Sequence, residues 1–247
     1  MTGTVFLVGL GFGGIAYLTP EAHAVLKRVE VIVGHESSLR CLKRIIKGKE
    51  IMVPNHNPLE RSRLAVSCAR EGRDVAIASA GHPGIYAIAS TFYGYLREND
   101  LDIPVVVIPG LTMGDYAAAR LGSPLGADHA VISLADRAGA WRNTKAALTA
   151  ALAADFVIVV YNPRGKLGSH RLKRVLTLVL LARSGETPVG LVTNAGSRLE
   201  KVGVTSVATL DAGDVKVNSL LVIGNRSSFI YQGKMITPRT YLPGLGY

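Results

Sequence analysis

The sequence predicts an α/β protein built from two α/β domains. Short Val/Ile-rich runs alternate with amphipathic, helix-like stretches through the first half, a pattern typical of a largely parallel sheet with crossover helices. A segment rich in turn formers, GSPLGAD at 122–128, then separates this set from a second set of apolar runs. We therefore predict one domain at 1–124, a second at 125–247, and a ligand cleft between them.

The predicted elements follow this pattern along the chain. Strands of the first half are expected at 4–8, 31–33, 51–53, 75–78 and 105–108. Helices of the first half are expected at 20–29, 58–71, 85–97 and 113–121. The apolar runs of the second half lie at 129–134, 156–160, 189–193, 203–207 and 220–223. The tail at 233–247 contains several prolines and glycines and is expected to be irregular.

Composition narrows the class of protein. A chain of 247 residues, 48% hydrophobic and 19% charged, can bury one large core or two modest ones. No apolar run reaches the roughly 18 residues of a membrane span, and no secretory signal is evident, so we expect a cytoplasmic protein with no membrane partner. Cys41 and Cys68 have no paired spacing and are expected to be structural thiols. No His/Cys/Asp/Glu group has metal-ligand spacing, so no protein-bound metal is predicted.

The charge balance indicates an acidic partner. The formal net charge is +10, from 28 Lys and Arg against 18 Asp and Glu. Nucleic acid and a polycarboxylate metabolite both remain possible on charge alone. The basic residues concentrate at 40–49 and 164–174, where few aromatic side chains could stack on bases, and this disfavours single-stranded nucleic acid. Both segments could also be solvated helix faces.

The first loop carries a glycine pattern that is typical of dinucleotide-binding sites. Gly9, Gly11 and Gly14 match GxGxxG directly after the first strand. A dinucleotide site, however, needs a helix that opens at the glycines, because the pyrophosphate binds the free N–H groups of the helix start. Thr19 as N-cap and Pro20 as first helical residue predict a later start. We therefore predict that this is not a standard Rossmann domain, with a nicotinamide or flavin protein as the alternative.

Four further loops rich in Gly, Pro or Asn follow predicted strands. They are ASAGHPGIY at 78–86, IPGLTMG at 108–114, YNPRG at 161–165 and TNAGS at 193–197. In open parallel sheets ligands bind at the carboxyl ends of the strands, where such loops converge. Glycines there let the backbone approach a ligand closely. The alternative is that these residues only turn the chain.

These five segments, in this order, resemble the tetrapyrrole methylase family, whose motifs run roughly GxGPGxxxxLT and GDPxxY. YNPR at 161–164 together with TPR at 237–239 is similar to the branch that acts at C17. The resemblance implies an S-adenosylmethionine-dependent C-methylation of a tetrapyrrole polycarboxylate, with precorrin-3B or cobalt-precorrin-3 as substrate. In that branch the methylation is coupled to ring contraction in cobalamin biosynthesis. It also implies a homodimer.

The resemblance assigns site residues position by position. The expected cofactor contacts, many through backbone, are Leu10, Gly11, Gly81, His82, Pro83, Gly84, Ile85, Thr112, Met113, Tyr161, Asn162, Asn194, Ala195, Thr237 and Pro238. Candidates for holding substrate carboxylates are Arg137, Arg164, Lys166 and Arg239. Candidates for the proton movements of ring contraction are Asp115, Asp136, Tyr161 and His82.

Three positions depart from the family pattern. Phe12 stands where the family usually has Pro, Gly14 where it often has Asp, and His82 where it has the Asp of GDP. His82 could shape the loop, contact the cofactor or substrate, or act as an acid or base. The alternatives to a C17 methyltransferase are a C11 or C20 methyltransferase, a diphthine synthase, a non-catalytic member of the family, and an RNA-binding protein without enzymatic activity.

Overall fold

The computed structural model describes residues 2–12, 14–54, 57–135, 140–165 and 169–239. The chain forms two compact units, Met1–Met113 and Gly114–Tyr247. Each unit contains a five-stranded sheet together with helices, which confirms the predicted α/β class. The domain boundary predicted between 124 and 125, and the predicted cleft, stay predictions.

The first unit alternates strands and helices. Its strands are β1 (Val5–Gly9), β2 (Val31–Val33), β3 (Glu50–Met52), β4 (Val75–Ser79) and β5 (Val105–Ile108). Its helices are α1 (Pro20–Arg28), α2 (Glu36–Leu39), α3 (Pro58–Arg70) and α4 (Ile88–Glu98), with short 3-10 helices at Ile15–Tyr17 and Arg40–Leu42. Helix α4 begins later than the predicted residue 85, because Tyr86 adopts a left-handed φ of 50° that no helix tolerates.

The sheet of the first unit is entirely parallel, which agrees with the prediction of a largely parallel sheet, and its strand order is β3-β2-β4-β1-β5. Strand β1 lies between β4 and β5, so the loops that follow these three strands leave the same sheet edge side by side. Alternate residues of β1 supply two cores: Val5 and Leu7 pack in one cluster, and Phe6 and Val8 in the other. Cys68 is buried in the first of these, and burial raises the pKa of its thiol although Arg73 lowers it.

Helix α1 begins where the sequence predicts. The Thr19 hydroxyl accepts a hydrogen bond from the Ala22 N–H at 3.1 Å, and Pro20 occupies the first turn. The 3-10 helix Ile15–Tyr17 separates this start from the glycines of the first loop. The α-helix N-terminus that a pyrophosphate would need therefore lies at Thr19 and Pro20, after this 3-10 turn and not at the glycines.

The second unit contains a mixed sheet. Its strands are β6 (Gly122–Ser123), β7 (His129–Ser133), β8 (Val157–Tyr161), β9 (Pro188–Thr193), β10 (Lys201–Ser206), β11 (Ser219–Ile223), β12 (Phe229–Tyr231) and β13 (Lys234–Ile236). Its helices are α5 (Met113–Leu121), of which only the first residue belongs to the first unit, α6 (Ala140–Ala153) and α7 (His170–Ala182). The large sheet has the order β10-β9-β11-β8-β7. Strand β11 is antiparallel to β8 and β9, while β7 is parallel to β8. Strands β7, β8 and β9 therefore end at one common edge.

The prediction of an irregular tail is wrong for its first residues. Strand β13 pairs with β12 as an antiparallel hairpin and with β6 as a parallel neighbour. The turn residues Gln232 and Gly233 have φ values of 47° and 70°, the left-handed pair of a type I′ hairpin turn. The prolines that suggested irregularity lie beyond this hairpin.

Candidate functional site

The carboxyl edge of the first sheet is built from glycine backbone. A Cβ atom added to Gly110 would lie 2.2 Å from the Gly81 carbonyl oxygen, and one added to Gly9 would lie 2.5 Å from the Gly110 nitrogen. Gly11 and Gly81 exchange two backbone hydrogen bonds, at 3.3 Å and 2.7 Å. The loops after β1, β4 and β5 thus meet as the sequence predicts, and side chains there would push them apart.

Gly81 differs from its neighbours because it borders open space. No atom of the described residues lies within 4 Å of a Cβ added to it, and its φ is +67°. Leu10 beneath it is fully buried, and its N–H donates to Ser79 O at 2.8 Å. The Gly81 backbone is therefore sterically accessible on this side, close to a buried apolar residue.

His82 shapes the loop after β4. Its Nδ1 accepts the Gly84 N–H at 2.9 Å, which is the contact an Asp side chain makes in an Asx turn. Since Nδ1 is the acceptor, a neutral ring carries its proton on Nε2. The departure from GDP therefore keeps the turn and replaces a carboxylate by an N–H donor.

The rest of this loop and the next strand end combine apolar surface with backbone. Pro83 is buried, and its carbonyl accepts the Ala89 N–H at 3.0 Å at the start of α4. Ile85 leaves 41% of its surface exposed. Thr112 and Met113 are half-buried at the start of α5.

In the second unit, Tyr161 and Asn162 lie where β8 ends. The Tyr161 hydroxyl accepts the Gly114 N–H at 2.9 Å, so it caps the first turn of α5. Asn162 has a φ of 51°, and its side-chain Nδ2 donates to Ser133 Oγ at 3.0 Å, at the end of β7. The ends of β7, β8 and α5 are thereby joined within this unit.

Asn194 and Ala195 occupy the equivalent place after β9. Asn194 has a φ of 52°, and its N–H donates to Asn218 O at 2.9 Å. The next residue but one, Gly196, donates its N–H to the Glu200 carboxylate at 2.6 Å. Sequence reasoning missed Ser133 and Glu200, since neither stands in a loop with a recognisable motif.

Thr237 and Pro238 are both buried and are held by other parts of the second unit. The Thr237 hydroxyl is 2.7 Å from Ser228 Oγ, and its N–H donates to Ser123 O at 2.9 Å. Gly126 packs so closely on this segment that an added Cβ would lie 2.1 Å from Thr237 O. Thr237 is therefore fixed by β6 and by the turn before β12.

The predicted substrate and acid–base residues fall in different settings. Arg164 donates from Nη1 to Gly213 O at 3.4 Å and Val215 O at 3.2 Å, so part of its guanidinium secures a neighbouring loop. Asp115 and Arg239 are exposed, Asp115 in the first turn of α5. Asp136, Arg137 and Lys166 lie outside the described residues.

Comparison with known proteins decides the family. The family model for tetrapyrrole (corrin/porphyrin) methylases matches residues 4–211. The chain belongs to the tetrapyrrole methylase family. Its members are S-adenosylmethionine-dependent methyltransferases, so the predicted family and enzyme class are confirmed.

Individual relatives of this tetrapyrrole methylase are similar along their length. A protein of Salmonella typhimurium named probable cobalt-factor III C(17)-methyltransferase is 35% identical over 95% of this chain and 98% of its own. Several other curated relatives are longer, and the chain spans about half of their length, 46–53%. A crystal structure of the methyltransferase CobJ has a TM-score of 0.88 and 27% identity, covering 96% of this chain and all of that one. A uroporphyrin-III C-methyltransferase from Thermus thermophilus, whose structure is a complex with S-adenosyl homocysteine, has a TM-score of 0.64 and 22% identity over 90% of this chain and 97% of its own.

Two features are absent from the described part of this methylase. No helix in it is long and apolar enough to cross a membrane. Its described residues also contain no group of three or more His, Cys, Asp and Glu side chains arranged to hold a metal ion.

Proposed function

We propose that this tetrapyrrole methylase transfers a methyl group from S-adenosylmethionine to C17 of precorrin-3B or cobalt-precorrin-3, with ring contraction, in cobalamin biosynthesis. The observation that carries the substrate assignment is the 35% identity, over nearly the full length of both chains, to a protein named as a C(17)-methyltransferase. The C17 prediction made from YNPR and TPR agrees with that name. Since the relative is named for cobalt-factor III, a cobalt-containing tetrapyrrole is the first substrate to assay.

The described residues fit S-adenosylmethionine. Open space beside Gly81 admits a ligand against bare backbone, and Ile85 supplies apolar surface. In the first unit we assign contacts to Leu10, Gly11, Gly81, His82, Pro83, Gly84, Ile85, Thr112 and Met113. In the second unit we assign them to Tyr161, Asn162, Asn194, Ala195, Thr237 and Pro238. Left-handed φ values at Asn162 and Asn194 turn their peptide groups away from the strand direction, where a ligand can reach them.

When bound, the cofactor supplies a methyl group that its sulfonium already activates. The protein therefore needs to align the reacting carbon and exclude water, and alignment alone can contribute about 7–11 kcal/mol. Proton movement during ring contraction is assigned to the candidates Tyr161, His82, Asp115 and Asp136. Tyr161 and His82 have suitable chemistry, because a hydroxyl that accepts from Gly114 keeps a proton to donate, and a neutral His82 carries its proton on Nε2.

The substrate assignment also gives the net charge of +10 a role. Tetrapyrrole intermediates carry several carboxylates, and arginine and lysine hold carboxylates by charge-assisted hydrogen bonds. Arg137, Arg164, Lys166 and Arg239 are the assigned side chains. Any cobalt would enter within the substrate. We further propose that the enzyme works as a homodimer in the cytoplasm.

Calorimetric titration with S-adenosylhomocysteine tests the cofactor assignment first. The expected result is saturable binding at one site per chain. The second step is transfer from radiolabelled S-adenosylmethionine to cobalt-factor III, with the methylated carbon located by NMR. Binding without transfer to cobalt-factor III or to precorrin-3B would keep the family assignment and overturn the C17 assignment. The absence of cofactor binding by folded protein would overturn the proposed methyltransferase activity.

A further inference from the structure

Glu200 is a carboxylate with a largely covered side chain that no part of the proposed chemistry uses. It lies just before β10, and only 10% of its side chain is exposed. Its Oε2 accepts the Tyr116 hydroxyl at 2.5 Å and the Gly196 N–H at 2.6 Å, and its Oε1 accepts Arg120 Nε at 2.8 Å. Removing a carboxylate from water costs free energy, but the charge-assisted hydrogen bonds that it then accepts are strong.

These donors come from two elements. Tyr116 and Arg120 are four residues apart on α5, so they project from one face of that helix. Gly196 belongs to the loop after β9, immediately after Asn194 and Ala195. The Glu200 carboxylate therefore ties this loop to α5.

The tie acts on the side of the loop that follows Asn194, where the Ser197 N–H also donates to Asn194 O at 3.1 Å. Asn194 is held on its strand side by the hydrogen bond from its N–H to Asn218 O. Asn194 and Gly196, the two neighbours of Ala195, both have left-handed φ values, 52° and 70°. The Gly196 N–H that Glu200 accepts fixes the second of these turns, and with it the direction of the Ala195 peptide groups.

Electrostatics keeps this carboxylate ionised. Burial alone would raise the pKa of Glu200, but the hydrogen bonds from Tyr116, Gly196 and Arg120, with the charge of Arg120, outweigh burial and lower it. The group thus accepts from all three donors at neutral pH.

We propose that Glu200 is a positioning residue of the cofactor site, which holds the Asn194–Ala195 backbone in the conformation that binds S-adenosylmethionine. This inference rests on the proposed function. Glu200 itself touches neither the cofactor nor the substrate in this proposal. It therefore controls the affinity for the cofactor and leaves the transfer step unchanged.

The test compares Glu200→Ala, Glu200→Gln and Tyr116→Phe with Glu186→Ala. Glu186 is an exposed glutamate of the same unit and controls for the loss of one negative charge. We expect Glu200→Ala to raise the Kd for S-adenosylhomocysteine about tenfold, equivalent to ~1.4 kcal/mol. The KM for S-adenosylmethionine should rise by a similar factor, while kcat at saturating S-adenosylmethionine should stay unchanged. Glu200→Gln keeps one acceptor oxygen and should show a smaller rise, as should Tyr116→Phe.

A second readout separates positioning from general damage. Hydrogen exchange at the Gly196 amide, followed by NMR, should accelerate in Glu200→Ala and remain slow in Glu186→Ala. Unchanged Kd and unchanged exchange in Glu200→Ala would overturn the inference, and so would a fall in kcat without a rise in KM. Should Glu200→Ala fail to fold, the same comparison in Glu200→Gln decides. If the wild-type protein binds no S-adenosylhomocysteine, the proposed function fails first, which is a different result from equal binding by wild type and variant.

Discussion

His82 shows how a departure from a family motif can keep its structural role. Its Nδ1 takes the place of a carboxylate oxygen in accepting the Gly84 N–H. The backbone of the loop is therefore preserved, while the group presented beside it changes from an anion to an N–H donor. This argues that the substitution alters what the loop binds and leaves its shape intact.

Substitutions at His82 can separate these two effects. His82→Asn retains a short acceptor for the turn, so we expect S-adenosylhomocysteine affinity within about twofold of wild type. His82→Ala loses the hydrogen bond, worth ~0.5–1.5 kcal/mol, and should bind about 2–10-fold more weakly. Calorimetry measures both. Equal weakening in the two variants would mean that the imidazole itself contacts the cofactor.

Gly81 provides the sharpest steric test. Gly81→Val places a branched side chain in the open space beside the loop that follows β4, and we expect the loss of S-adenosylhomocysteine binding. Valine at a φ of +67° is also strained, by roughly 1–2 kcal/mol, so a control is needed. Gly48→Val meets the same strain at a φ of +81°, with no described atom within 4 Å, at a turn outside the site. Retained binding by Gly81→Val would remove this loop from the cofactor site.

At the scale of elements, the features that depend on residues close together in the chain could be predicted from the sequence. The start of α1 follows from Thr19 and Pro20, and the loops of the parallel sheet converge because parallel strands end at one edge. The pairing of β13 with β6 could not be predicted, since it joins residues more than a hundred positions apart. Glu200 was missed for the same reason, because Tyr116 lies 84 residues before it.

Arg183 is a second long-range feature, at the opposite edge of the mixed sheet. Its guanidinium donates to Gly224 O and, at 2.5 Å, to Phe156 O, and its side chain is fully buried. Burial lowers its pKa, which the nearby Asp155 partly offsets. These contacts bridge the start of β8 and the end of β11.

We expect Arg183→Met to reduce the free energy of unfolding by about 3 kcal/mol, because it leaves two carbonyls and Asp155 without this partner. Affinity for S-adenosylhomocysteine in the folded variant should stay within about twofold of wild type, since the assigned cofactor residues that follow β8 and β9 lie at the other edge of the sheet. Denaturant unfolding and calorimetry measure the two quantities. A stable variant with weakened binding would contradict this division of roles.

At the scale of the whole molecule, charge should distinguish the two ligands. The net charge of +10 attracts a polycarboxylate over distances that salt screens, whereas S-adenosylhomocysteine carries no net charge at neutral pH. We therefore expect the KM for the tetrapyrrole to rise several-fold between low and physiological salt, and the Kd for S-adenosylhomocysteine to stay nearly constant. If the KM for the tetrapyrrole and the Kd for S-adenosylhomocysteine changed equally with salt, the net charge would not be what attracts the tetrapyrrole. Competition by RNA at physiological salt would revive the nucleic-acid alternative.

The pairing of β13 with β6 also bears on the order in which the chain can fold on the ribosome. Residues 1–113 contain every strand of the parallel sheet, so this unit can close its sheet as soon as α5 begins to emerge. In the second unit, β6 waits for a partner until residue 236 has left the exit tunnel. A pause in translation before that point would expose an incomplete second unit to chaperones and proteases while the first is already protected.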